Sequence, residues 1–501
     1  MDAVPVLKEY LAEIARAHAT GAGTQETSYY SALQGALNGI GRELKPKVFC
    51  LQQMSGSGGF PDFGLFTSPQ MGRGGVPTTW PEGPVPERGA VEADDIPAAL
   101  SVKRSSEQVS KYLATYGLVL ITNYRDFELL ERTPTGQAIV VEKFSFERTA
   151  SAFTTWAATS LKKLDEPFAI RFAEFLQRVL LTRAPLAEPH DVAFFLASYA
   201  RDALARVEAK ATLPALNSLR DALGQSLGTK FLPGQGEHLF RSTLVQTLFY
   251  GLFSAWVTHA RAGGGKFDWR TAEWSLHVPM VRALYQQVAT PTHLLPLGLV
   301  EVLDWAARAL DRVERNTFFT KFNDELAVQY FYEPFLEAFD PTLRKQLGVW
   351  YTPPEIVRYM VERVDRELRT ALGIPDGLAD PSVWVLDPAC GTGSYVVEVL
   401  RRIEKTLREK GEEASVAAEV KAAATRRVAG FEIMPAPFVI AHWQIGNQLR
   451  ELGAPLDEAT NERASVYLTN SLTGWNPSSP EPHLPFPELE TERDLAVSVV
   501  R

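Results

Sequence analysis

The arrangement of hydrophobic and polar positions changes character twice along the chain and marks out three regions. In the first, Leu7, Tyr10, Leu11 and Ile14 fall at three-and-four spacing, which predicts an N-terminal helix within a largely helical stretch over 1–50. Short apolar runs bounded by breakers follow. Residues 47–54 predict a strand, Ser55-Gly56-Ser57-Gly58-Gly59 a turn, and 60–66 a second strand. The Gly- and Pro-rich stretch over 71–90 predicts an exposed loop. After it, 90–93 predicts a strand, 106–116 a helix and 118–123 another strand.

From about 147 to 335 the period is helical throughout. RFAEFLQRVLL, HLFRSTLVQTLFYGLFSAWVTHA and GLVEVLDWAARALDRVERN carry apolar residues at helix spacing, separated by a Gly-rich break at 262–265 and Pro-containing turns at 291–296. Trp156, Trp256 and Trp305 read as helix-packing core. After 345 strands and helices alternate: strand 383–386, helix 394–410, strand 427–431, helix 437–452 and strand 465–468. Such alternation predicts a parallel, doubly wound sheet. The fold class expected is therefore α/β, with domains at 1–146, 147–335 and 336–501. The order is an α/β domain, an all-helical connector and a partial Rossmann-like sheet.

Composition narrows the function classes. Lys and Arg total 51 against 60 Asp and Glu, a net charge of −9, so any contact with nucleic acid must come from a local patch. Two cysteines, Cys50 and Cys390, are too few for a disulfide framework or a Cys-based zinc site. No run approaches the ~18 apolar residues of a membrane span, and the N-terminus lacks a signal-peptide pattern. A cytoplasmic protein with no membrane partner is expected.

The densest chemical signal is VWVLDPACGTGSYVVEVL. An apolar strand runs into Asp387-Pro388-Ala389-Cys390-Gly391-Thr392-Gly393, and a helix begins directly afterwards. Two glycines let the backbone turn and approach a ligand closely, and the helix N-terminus offers free N–H groups to an anion. Cys390 reads as a small packing residue beside the loop. On this string the sequence resembles the S-adenosylmethionine-dependent DNA adenine methyltransferases. The resemblance implies further cofactor contacts in chain order. Tyr351-Thr352-Pro353 would close over the methionine end, with Thr352 also expected to cap the helix that follows. Glu432, at the end of the second strand, would accept from the ribose hydroxyls, and Asn470, after the third, would meet the adenine.

The same resemblance implies an Asn-Pro-Pro-Tyr string that presents the flipped base, and this sequence has none. Asn476-Pro477-Ser478-Ser479 shares two letters and reads as a proline-rich turn. No residue is therefore assigned to methyl transfer itself. The family's strand order, 3-2-1-4-5-7-6, would leave the strand ending at Asp387 as an apolar edge if the fourth strand were missing. The expectation is a chain stopping before its catalytic motif and target-recognition domain, inactive alone unless a second chain supplies them.

Residues 24–130 resemble the PD-(D/E)xK nucleases more distantly. Asp62 opens one strand, Glu92 lies in another, and Gln108 and Tyr112 stand one helical turn apart; Glu26 is an additional carboxylate. The resemblance implies Mg²⁺ on Asp62 and Glu92, activating water for phosphodiester attack. Where the family has lysine, two residues after the second acid, this chain has Asp94, leaving Lys103 or Lys111 to substitute.

Both resemblances occur together in single-chain restriction–modification enzymes, which act in phage defence and use DNA and S-adenosylmethionine. The expected function is the N-terminal portion of such an enzyme. The alternatives are a catalytically dead subunit that binds DNA or a partner chain, and a methyltransferase acting on a substrate other than DNA.

Overall fold

The computed structural model describes residues 3–19, 26–52, 59–72, 85–160, 164–210, 217, 220–221, 224, 235–271, 291–322, 331–341, 352–457, 460, 462–472 and 487–500. They form an α/β protein of two compact units, Met1–Pro185 and Leu186–Arg501.

The first unit is built on a six-stranded sheet whose spatial order follows the chain. The strands are β1 (Val48–Gln52), β2 (Phe63–Thr67), β3 (Ala90–Ala93), β4 (Leu118–Thr122), β5 (Asp126–Arg132) and β6 (Ala138–Ser145). Only the β3–β4 pair is parallel, and its crossover holds α3 (Leu100–Arg104) and α4 (Glu107–Tyr116). Ser106 caps α4 by accepting from the Val109 N–H, and Gly117 ends it in a left-handed turn. Val109, Tyr112, Leu113 and Tyr116 of α4 then pack on Val119, Ile121 and Leu130 of the sheet. The alternate positions of β5 and β6, Phe127 and Phe144, meet a cluster of rings from α1 (Ala3–Ala19) and α6 (Glu166–Leu180), including Tyr10, Phe172 and Phe175. α2 (Tyr30–Gly41) and α5 (Ala150–Thr159) pack against α1. Thus α5 and α6, which lie within the sequence's helical region, here belong to the unit that holds the sheet. The β5–β6 hairpin was not expected, although DFELLER and AIVVEKFS alternate on either side of a Thr-Pro-Thr-Gly turn.

The second unit opens with helices: α7 (Pro189–Glu208), α8 (Gln235–Arg261), α9 (Pro291–Leu297), α10 (Leu299–Asp311), α11 (Arg315–Lys321) and α12 (Glu333–Phe339). The expected Pro-containing turns at 291–296 are instead the helix α9: Pro291 stands at its start, where a missing N–H costs nothing, and Pro296 lies inside its last turn. Phe253 and Trp256 of α8 centre an aromatic core with Phe318, Phe322, Phe331 and Tyr332. Trp256 is fully buried and Trp305 nearly so, as helix-packing core should be, whereas Trp156 is only half-buried and belongs to the first unit.

α13 (Pro354–Thr370) then leads into a parallel three-stranded sheet, β7 (Val385–Asp387), β8 (Val428–Glu432) and β9 (Val466–Leu468), in the order β7-β8-β9. α14 (Ser394–Glu409) and α15 (Val416–Arg426) join β7 to β8, and α16 (Pro435–Glu451) joins β8 to β9. The short strands read correctly in the sequence, whereas α15, Ala-rich and only weakly amphipathic, went unassigned. At β7 the described sheet ends, with Trp384 62% and Leu386 38% exposed. The charged C-terminal stretch forms α17 (Pro487–Val500). Its buried Glu492 pairs with Arg463 and accepts from the Leu468 N–H at 3.1 Å, fixing the helix to β9.

Buried Asp365 of α13 accepts from Arg369 at 2.9 Å, from Arg402 of α14 at 2.7 Å and from the Leu378 N–H at 2.8 Å. The two guanidiniums hold its carboxyl below the usual range despite burial. One side chain thereby joins the helices on either side of the turn that feeds β7.

Candidate functional sites

In the second unit β7 delivers Asp387 to the mouth of the sheet, and the chain turns at once. The Asp387 carboxylate accepts from the Ala389 N–H at 3.2 Å, and the Cys390 N–H donates to the Phe431 carbonyl at 2.9 Å, so the loop lies along the end of β8. Gly391 and Gly393 take left-handed φ values of 55° and 85°, which L side chains rarely adopt. Gly393 has a second constraint: a Cβ there would stand 3.0 Å from Ala441 of α16. Gly430 faces Cys390 as closely, its Cβ position lying 2.9 Å from the sulfur. Cys390 is accordingly a buried packing residue, and burial pushes its thiol well up.

Glu432, at the end of β8, accepts from the Gly391 N–H at 2.8 Å with one oxygen and from the Met434 N–H at 2.7 Å with the other. Burial nevertheless raises its pKa, as it does that of Asp387. The four acceptor sites of its carboxylate outnumber the backbone donors of Gly391, Ile433 and Met434, so some acceptor capacity remains. Its chemistry is that of a carboxylate fixed by backbone amides beside a glycine loop and the first turn of α14.

The sequence-predicted residues Asp387, Pro388, Ala389, Gly391, Gly393 and Glu432 therefore come together. Asn470 lies just beyond β9, where its Oδ1 accepts from the Leu472 N–H at 3.0 Å. Tyr351 lies outside the described residues, as do Asn476 and Pro477. Thr352 does not cap α13: the cap position is Pro353, with Pro354 in the first turn and no side-chain hydrogen bond. Proline sets the helix start by its fixed φ, and the hydroxyl one residue earlier falls outside the capping position. The sequence reading missed Gln444, whose amide donates to the Thr392 carbonyl at 2.6 Å from α16. A buried glutamine within the apolar run FVIAHWQI was the available signal.

In the first unit Asp62 precedes β2 and Glu92 sits in the neighbouring β3. Asp62 accepts from the Tyr30 hydroxyl of α2 and, at 2.7 Å, from the Ala93 N–H. Glu92 is almost wholly buried, with Lys103 of α3 3.1 Å from its Oε1 and no hydrogen-bond partner at its Oε2. Burial and then the Asp62 charge push its pKa up to about 7, against the pull of Lys103. Tyr112 also feels both carboxylates, and Gln108 donates to its hydroxyl at 3.1 Å. Asp62, Glu92, Lys103, Gln108 and Tyr112 thus form one cluster, although they come from four separate segments. The side chain of Glu26 is outside what is described. Tyr30 was not anticipated, since nothing in its own sequence context marks it.

The orphan oxygen of Glu92 and the neighbouring Asp62 fit a hard divalent cation in donor type. Among the described residues, no three His, Cys, Asp or Glu side chains gather as a metal cluster. The protein would supply two carboxylates and water the remainder, a common arrangement for Mg²⁺. Among the same residues, no helix is long and apolar enough to cross a membrane.

A glycine-rich loop between a parallel strand and a helix, with an acidic residue at the end of the next strand, is the arrangement that nucleotide-binding α/β folds share. Residues 324–436 match the N-6 DNA Methylase family model, a span that contains Thr352, the 387–393 loop and Glu432. That stretch of the chain is thus similar to DNA N6-methylases. No curated protein matches the sequence. Among solved structures, the DrdV–DNA complex is 18% identical with a TM-score of 0.45, covering 99% of this chain and 42% of its own. A nuclease-deletion mutant of the Type ISP restriction-modification enzyme LlaGI, with a DNA substrate mimic, is 16% identical with a TM-score of 0.39; it covers 71% of this chain and 28% of its own. The ATP-dependent Type ISP enzyme LlaBIII bound to DNA is 14% identical with a TM-score of 0.37, covering 78% and 26%. The chain therefore spans less than half the length of each.

Proposed function

We propose that the second unit binds S-adenosylmethionine and that the chain belongs to a DNA adenine N6-methyltransferase of a restriction–modification system. The observation that carries the reading is the joining of the 387–393 loop to Glu432 at the mouth of a parallel sheet. When bound, the cofactor supplies an electrophilic methyl group on a sulfonium. The first turn of α14 presents free N–H groups to its carboxylate. Glu432 offers its remaining acceptor capacity to the ribose hydroxyls, and the family resemblance assigns Asn470 to the adenine and Thr352 and Pro353 to the methionine end. Gly391 and Gly393 leave room for the ligand to lie against backbone. The sequence holds no Asn-Pro-Pro-Tyr string, so no residue here is assigned to orienting the adenine amine; DNA is the proposed macromolecular partner.

Calorimetric titration of the full chain with S-adenosylmethionine tests this, beside the Asp387→Ala variant. Binding by the wild type that the variant loses supports the pocket. A folded wild type that binds nothing overturns it and leaves a DNA- or partner-binding subunit. Methylation of a substrate other than DNA by the purified chain would replace DNA in the reading.

A second reading has its own observation, the convergence of Asp62, Glu92 and Lys103 in the first unit. The two carboxylates would hold Mg²⁺, which supplies an activated water and charge neutralisation at a phosphodiester. Tyr30 and the Ala93 amide hold Asp62 in place, and Tyr112 walls the cluster.

A further inference from the structure

Lys103 is in an unusual position for a side chain serving only to solubilise a helix. It lies on the five-residue α3, its side chain is only 12% exposed, and its ammonium is within 3.1 Å of a carboxylate that is 3% exposed. The second carboxylate within reach is Asp94, whose Oδ2 is 4.0 Å away and whose side chain is 30% exposed. The ammonium is thus bound to the inner acid and stands one short swing from an outer one. Glu92 meanwhile keeps Oε2 buried and unpartnered, beside Asp62.

These positions conflict with simple metal binding. A divalent ion on the Glu92 carboxylate would sit a few ångströms from a positively charged nitrogen in a largely dry pocket, where like charges repel strongly. Two cations on the two oxygens of Glu92 repel each other, and Asp94 gives the mobile ammonium somewhere to go. We propose that Lys103 is the resident counter-ion of the Asp62–Glu92 site: a divalent cation binds by displacing its ammonium from Glu92 to Asp94. The displaced ammonium then stands at the outer edge of the site, where an incoming phosphodiester anion would meet it. This inference rests on the metal-site reading given above. It also gives Asp94 a role: an acidic residue at that place is the acceptor that makes the exchange reversible.

The test is direct metal binding to the full chain, with MnCl₂ or MgCl₂ alone as the probe, by calorimetry and by the Mn²⁺ electron paramagnetic resonance signal. Wild type, Lys103→Met, Lys103→Arg and Asp62→Asn are compared after circular dichroism has shown each to be folded. Removing the competing cation in Lys103→Met should tighten metal binding roughly tenfold or more, while Lys103→Arg, which keeps the charge, should bind as weakly as wild type. Lys103→Gln serves as a second neutral variant if Lys103→Met does not fold. Equal or weaker binding by both neutral variants, with Asp62→Asn still abolishing it, overturns the displacement and leaves the metal site standing. No binding that depends on Asp62 in any variant removes the metal site itself, and the inference with it.

Discussion

The two candidate sites hold their acidic residues by opposite means. Glu432 is fixed by backbone amides, Gly391 on one oxygen and Met434 on the other, with no cation bonded to it in the described contacts. Glu92 is fixed by a side-chain cation and retains an oxygen that nothing satisfies. An amide-held carboxylate has donors that cannot leave, so it suits a site that must present the same acceptors repeatedly to a neutral ligand group such as a hydroxyl. A cation-held carboxylate can exchange one cation for another. The difference separates a rigid cradle from an exchangeable charge, and it can be probed from both ends.

The largest expected effect is on the cradle. Gly393→Val places a branched side chain at a left-handed φ and against the Ala441 backbone, so S-adenosylmethionine affinity should fall roughly a hundredfold or more, the equivalent of about 3 kcal/mol. Calorimetry reads this directly; unchanged affinity would show that the ligand does not use the loop. Next comes Glu432→Gln. A glutamine has one acceptor oxygen and would turn its NH₂ toward one of the two backbone N–H donors. Binding should weaken by about 1–3 kcal/mol, roughly tenfold to a hundredfold. A fully neutral outcome would mean that the carboxylate charge is immaterial to the cradle.

The smallest effect belongs to the cation-held acid. Its folded-state pKa, about 7, lies above the ordinary 4.5, so the folded protein holds this proton more tightly than the unfolded chain. The resulting contribution to stability is fully present below about pH 4.5 and is lost as the pH rises through 7. In chelator-treated buffer the unfolding midpoint of the first unit should therefore fall by a few degrees between pH 5 and 8. Glu92→Gln should flatten that slope. A wild-type slope that the variant reproduces would assign the pH dependence to other groups.

The same contrast explains what could be read in advance. The cradle was legible because its parts are local: Asp387 to Gly393 is one uninterrupted string, and the strands on either side are short apolar runs in alternation with helices. The position of Glu432 followed from the end of the next strand. What escaped was held by tertiary contact, as with Gln444, which reaches Thr392 from a helix more than fifty residues on. The acid cluster was legible only as residue types. That Lys103, of the two lysines considered, is the one beside Glu92 depends on how α3 crosses between the parallel strands β3 and β4. No periodicity encodes that crossing. The Thr352 cap failed for a smaller reason, since consecutive prolines move the helix start one place along the chain.

The packing of Cys390 against Gly430 gives the molecule an internal clock. The chain has two cysteines, both buried, and they fall one in each unit: Cys50 in β1 and Cys390 in the glycine loop. Neither thiol can meet a bulky alkylating reagent until its own surroundings open. Time-resolved modification, resolved by peptide mass, would therefore report the opening rate of each unit separately, without an introduced label. Because the sulfur of Cys390 fills the space above Gly430, anything that closes the loop should slow its trace and leave that of Cys50 unchanged.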